Sequence, residues 1–123
     1  MRLSNAEMSR MLEAVEKHLS RKDVVGYACA RNARILRDEL SEFIGIRNEL
    51  VMKYGEKDVD DNGVPTGQVS LAVESENFAK FAEEIEQFAL IEHEPELFKL
   101  NYSEAIGALS GEELLEIDWM FED

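Results

Sequence analysis

Apolar positions recur along this chain at two spacings, one of helices and one of strands. Met8, Leu12, Val15 and Leu19 stand four, three and four residues apart, which predicts one helix face over residues 5–20. Ser4-Asn5-Ala6-Glu7 precedes it as a capping box, with Ser4 accepting from a first-turn N–H and Glu7 reaching back. After a break at Ser20-Arg21-Lys22, Asp23 stands ready to cap a second helix over residues 24–54. Its seam of Cys29, Ala33, Leu36, Leu40, Phe43, Arg47, Leu50 and Tyr54 alternates fours and threes throughout. Ile35, Ile44, Ile46, Val51 and Met52 widen the apolar face, no proline interrupts it, and Gly55 supplies a stop. At about 1.5 Å per residue this helix spans roughly 46 Å. The two helices predict an antiparallel hairpin with coiled-coil-like packing, in which the second outreaches the first.

Residues 55–68 are turn-forming throughout. Val69, Leu71 and Val73 then alternate with polar residues, a strand pattern, and Phe98, Leu100 and Tyr102 do the same. Each needs a partner, so the two are expected to pair. Between them, Ser75 caps a helix over residues 76–89, with Phe78, Phe81, Ile85 and Phe88 on one face and Glu76, Glu83, Glu84 and Glu86 on the other. Ser103 and Ser110 are further expected caps, and Ser110-Gly111-Glu112-Glu113 is a second capping box. A last helix over residues 111–121 puts Leu114, Ile117 and Phe121 on one face, with Leu115 and Trp119 beside it. The expected fold class is α+β and mostly helical: a long antiparallel helical hairpin, a small two-stranded β-sheet and two shorter helices. The 123 residues form one domain, made of the hairpin (4–54), a turn-rich loop (55–68) and an acidic α/β part (69–123).

Charge divides the chain unevenly. Residues 1–62 hold 11 Lys or Arg against 12 Asp or Glu, whereas residues 63–123 hold only Lys80 and Lys99 against 15 acids. The net charge of −14 argues against direct nucleic-acid binding, which needs cations facing phosphate, and favours basic protein partners. A single cysteine excludes an intrachain disulfide and fits a reducing compartment. The N-terminus has no apolar signal-peptide core and no stretch is long enough for a membrane helix, so a cytoplasmic protein is expected.

Catalytic motifs are sparse. Asp58-Val59-Asp60-Asp61-Asn62-Gly63 matches the opening of a calcium loop, with Asp58, Asp60 and Asn62 as oxygen ligands. Position 12, where Ca²⁺ needs a bidentate Glu, is Val69, so a turn into a hairpin is the plainer reading. His93 and His18 are far apart in sequence and too few for zinc. Cys29 lies on the apolar seam, where a free cysteine behaves as a small hydrophobe. No cofactor is expected, and neither is an enzyme.

Two segments suit protein contacts instead. Arg31, Arg34 and Arg37 form a basic stripe that is either a solvated helix face or the receiver of the acidic half, from the same chain or a neighbour. At the other end, Glu112, Glu113, Glu116 and Asp118 surround Trp119, which either anchors a partner or closes the chain's own core.

Four segments together resemble a family of small proteins of unknown function encoded by phages and prophages of Gram-positive bacteria. They are Arg47-Asn48-Glu49-Leu50-Val51-Met52-Lys53-Tyr54-Gly55-Glu56-Lys57-Asp58, the Asp61-Asn62-Gly63 turn, Glu76-Asn77-Phe78-Ala79-Lys80-Phe81, and Leu114-Leu115-Glu116-Ile117-Asp118-Trp119-Met120-Phe121-Glu122-Asp123. The resemblance implies a phage-associated accessory or assembly role and supplies no catalytic residues. The expectation is a non-enzymatic protein in the cytoplasm of a bacterial host, contacting a phage or host protein and copies of itself as a homo-oligomer. The alternative expectation is an acidic nucleic-acid mimic that occupies a basic host site.

Overall fold

Four α-helices and three two-stranded sheets make up the computed structural model, which describes residues 1–123. The α+β, mostly helical class expected from the sequence is the one observed. In chain order the elements are β1 (Leu3–Ser4), α1 (Asn5–Glu16), α2 (Val24–Tyr54), β2 (Glu56–Val59), β3 (Pro65–Ser70), α3 (Glu76–Ala89), β4 (Glu92–His93), β5 (Leu100–Asn101), α4 (Gly111–Ile117) and β6 (Phe121–Glu122). Short 3₁₀ turns cover Tyr102–Glu104 and Asp118–Met120. The chain divides into two compact units, one of Met1–Leu40 with Glu92–Asp123 and one of Ser41–Ile91.

In the first unit, helix α1 starts as its capping box dictates. Ser4 Oγ accepts from Glu7 N at 3.1 Å, and Glu7 Oε1 accepts from Ser4 N at 3.2 Å. The helix is shorter than the periodicity predicts. It ends at Glu16, and His18 N donates to the Val15 carbonyl three residues back, a tighter turn than the α-helix allows. That tightening rotates Leu19 off the stripe, leaving it exposed, and buries His18. Asp23 Oδ1 then accepts from Gly26 N at 2.9 Å and caps α2 as expected.

The α2 seam is buried from Cys29 through Ala33 and Leu36 to Leu40. Met8, Leu12 and Val15 of α1 and Ile117, Met120 and Phe121 of the C-terminal segment complete this core. Each fully buried Leu or Met contributes about 1.5–3 kcal/mol. The C-terminal helix, expected to run to residue 121, stops at Ile117 and tightens into the 3₁₀ turn. Met120 therefore faces inward, and Leu115 is 81% exposed. Asn101, rather than Ser103, caps the Tyr102–Glu104 turn, because its side chain accepts from Ser103 N.

The expected pairing of residues 69–73 with 98–102 does not form. Leu100–Asn101 instead pairs in parallel with Phe121–Glu122, and Leu3–Ser4 pairs antiparallel with His93 and Glu92. Period-2 alternation identifies a strand but carries no information about its partner.

In the second unit, Val69 pairs with Lys57 and Ser70 with Glu56, so the hairpin closes locally, with a bulge between Lys57 and Val59. Closing a short loop costs less chain entropy than recruiting a strand about 30 residues away. Asp60 organises the turn: its Oδ1 accepts from Asn62 N at 2.8 Å and from Val64 N at 2.9 Å. Gly63 alone takes the positive φ there (78°), and Asn62 does not share it. Helix α3 begins at the Ser75 cap with the expected bounds. None of its residues is buried; Phe78, Phe81, Ile85 and Phe88 are only half-buried. Along the Ser41–Tyr54 part of α2, burial stops after Phe43, and Arg47 on the seam is exposed.

Candidate functional site

Three arginines of α2 were candidates for one basic stripe, and the structure gives each a different surrounding. The Arg31 guanidinium donates to Tyr27 Oη at 3.1 Å and lies 5.3 Å from the centroid of the Phe98 ring, a cation–π contact. Tyr27 meets Phe98 edge to face, with centroids 5.9 Å apart. Arg37 pairs with Glu16 of α1 at 3.0 Å. The Arg34 guanidinium makes no ion pair and faces a groove lined by Leu19, Ala30, Ala33, Arg37 and Asp38.

None of these arginines meets an acid of the second half of the same chain. That role falls to residues the sequence did not single out. Lys17 lies 3.6 Å from Glu116, and Arg21 lies 3.9 Å from Glu113. His18 Nδ1 is 3.8 Å from the same Glu113 carboxylate, while its Nε2 is buried without a hydrogen-bond partner. Arg21 also donates to the Ala108 carbonyl at 2.6 Å and pairs with Asp23 at 2.8 Å. The hydrogen bond to Asp23 raises the Arg21 pKa above its ordinary value, and the same bond lowers that of Asp23. The end of α1 is thus tied to the start of α4. The sequence marked Glu113 as part of a capping box, but it placed Lys17 inside a helix over residues 5–20 and gave neither residue a spatial neighbour.

Glu113, a candidate contact residue, is therefore committed internally. The hydrogen bond from Ser110 N, at 2.9 Å, is the main reason its carboxyl sits below the ordinary range. Asp118 accepts from Tyr102 Oη at 2.8 Å, which raises the tyrosine pKa. Trp119 is half-buried, with its carbonyl accepting from Lys99 Nζ and its indole N–H buried without a partner. Glu112 is exposed and makes no ion pair, and Glu116 is exposed beside Lys17.

The calcium-loop candidates lie on the hairpin of the second unit. Asp60 is spent on the turn, Asn62 contributes its backbone N–H to that turn, and Asp58 accepts from the Ser70 hydroxyl. No three His, Cys, Asp or Glu residues cluster anywhere in the structure with the spacing of a metal site. The Cys29 thiol is buried beside Met120, and burial pushes its pKa up to about 11. It is held as a thiol at neutral pH, the unreactive form.

The second unit has a polar cluster of its own. Tyr54 Oη donates to Glu84, and Lys53 Nζ lies 3.4 Å from the same carboxylate. The tyrosine hydrogen bond is the first cause of the lowered Glu84 pKa. No helix is long and apolar enough to cross a membrane. No protein-family model, no curated protein and no solved structure matches this chain, so the residues above stand on their own geometry.

Proposed function

We propose that this chain is a non-enzymatic accessory or assembly protein of a phage or prophage, acting in the bacterial cytoplasm through contacts with a protein partner and with copies of itself. The observation that carries the reading is the uncovered apolar surface of Ser41–Ile91. Phe43 is the one buried side chain of that unit. Met52, Val59, Val64, Val73, Leu90 and Ile91 are each between 49% and 71% exposed. Apolar side chains left wet around so small a core favour a surface that another protein covers. The resemblance to phage and prophage proteins supports the setting, and the net charge of −14 favours a basic protein surface over nucleic acid.

A nucleic-acid mimic needs unpaired carboxylates ranged along one surface. Glu113, Glu116, Glu84 and Glu92 instead face Arg21, Lys17, Lys53 and Arg2, which weighs against that reading.

Light scattering at moderate salt, together with affinity capture from infected or induced cells, tests the proposal. The expected results are a mass above that of one chain and a captured partner. A strict monomer at high micromolar concentration that captures nothing contradicts it.

A further inference from the structure

We propose that the groove beside Arg34 receives the Leu115 face of helix α4 from a second copy of this chain. The inference rests on the homo-oligomer reading above and gives that oligomer its contact. The receiving side is one face of α2. Ala30, Ala33, Arg34 and Arg37 follow at i, i+3, i+4 and i+7, so they line one strip of the helix. With Leu19 and Asp38 they bound an open groove of about 410 Å³. Ala30 is exposed and small, which leaves room for a larger apolar side chain above the buried Ala33, and Leu19, 38% exposed, gives the groove an apolar wall. Arg37 is answered by Glu16, and Asp38 stands on the rim, so the cation left for a visitor is Arg34.

The entering side is built the opposite way. Leu115 is 81% exposed on α4, far more than the other apolar residues of that helix. Glu112 lies one turn earlier on the same face, exposed and without an ion pair. Glu116 follows it, paired only with Lys17 at the surface. An apolar knob beside an open acid thus complements an apolar hole beside an open base. Ile106 is as exposed as Leu115, at 82%, but it sits in a turn next to Gly107 rather than on a helix face beside Glu112.

Charge sets the conditions under which the contact forms. Two copies of net charge −14 repel at long range. At physiological salt that repulsion is screened beyond about 8 Å, while close pairs survive. Association is therefore expected to be weaker at low salt than at moderate salt.

A mixing experiment on the full chain tests the contact. Wild type, Leu115→Asp, Arg34→Glu and the control Ile106→Asp are measured by light scattering from low to high micromolar concentration, with circular dichroism to verify folding. Wild type and Ile106→Asp are expected to gain mass with concentration. Leu115→Asp and Arg34→Glu are each expected to associate at least about tenfold more weakly, the loss of one good contact. An equimolar mixture of these two variants regains mass, because the intact knob of one meets the intact hole of the other. Wild-type association with unaffected variants, or a mixture that stays monomeric, overturns this contact and leaves the homo-oligomer reading standing. A wild type that is monomeric throughout overturns both.

Discussion

Asn32 holds the backbone of Phe98 from both sides. Its amide nitrogen donates to the Phe98 carbonyl at 2.9 Å, and its amide oxygen accepts from Phe98 N at 2.7 Å. The side chain is fully buried and does the work of a neighbouring strand for a segment 66 residues away. Removing it leaves two backbone groups without partners. Asn32→Leu keeps the bulk and loses both bonds, and is expected to destabilise the protein by about 1–3 kcal/mol in urea unfolding. A neutral result means that the clamp contributes nothing.

Leu40 and Glu42 are two residues apart on α2 and face opposite environments, one fully buried and one exposed. Leu40→Ala is expected to cost about 2–5 kcal/mol, the transfer loss plus the cavity. Glu42→Ala is expected to cost under about 0.5 kcal/mol. Denaturant melts of both variants check the helix face, and equal effects contradict its assignment.

Much of this was legible in the periodicity. The bounds of α2 and α3, the buried seam from Cys29 to Leu40, and the caps at Ser4, Asp23, Ser75 and Ser110 all follow from local pattern and hydrogen-bonding chemistry. Local pattern fails where a helix tightens, as at His18 and Met120, because a change of turn geometry rotates every later side chain. It also fails for pairings at a distance. Nothing in Leu100-Asn101 points to Phe121-Glu122, and nothing near Glu113 points to Arg21. The candidate contact residues were partly legible for the same reason. Arg34 and Glu112 lie on helix faces that the period assigns, whereas Leu115 was expected beside the apolar face, and the internal commitment of Glu113 depends on how α1 and α4 come together.

Two glycines of α2 face opposite fates on gaining a methyl group. A Cβ on Gly26 stands 2.2 Å from the Arg21 carbonyl oxygen, a backbone atom that cannot swing aside. A Cβ on Gly45 meets nothing within 4 Å. Gly26→Ala is expected to destabilise by about 1–3 kcal/mol or more. Gly45→Ala is expected to stabilise by about 0.5–1 kcal/mol, the helix cost of glycine. Thermal melts giving shifts of the same sign contradict the placement of the Arg21 turn.

The Glu113 carboxyl is held below its ordinary value of 4.5, first by the Ser110 N–H and then by its other neighbours. The folded protein therefore keeps this group ionised at a pH where the unfolded chain has already taken up a proton. Its stabilising contribution is complete above the ordinary carboxylate range and is lost as pH falls through the lowered folded value. Glu113→Gln is expected to flatten the acid limb of the stability profile, measured by melts from neutral pH downward. An acid limb identical to that of wild type contradicts the cap's role.

The central claim is that Ser41–Ile91 meets a protein partner through its uncovered apolar side chains. Quantitative affinity capture from induced cells, comparing three baits, tests it most directly. Wild type and Leu115→Asp are expected to retain the same specific partner, because Leu115 lies outside that unit. A bait carrying Met52→Asp, Leu90→Asp and Ile91→Asp, all changes at exposed positions, is expected to lose it while remaining folded. Retention of the same partner by all three baits contradicts the claim.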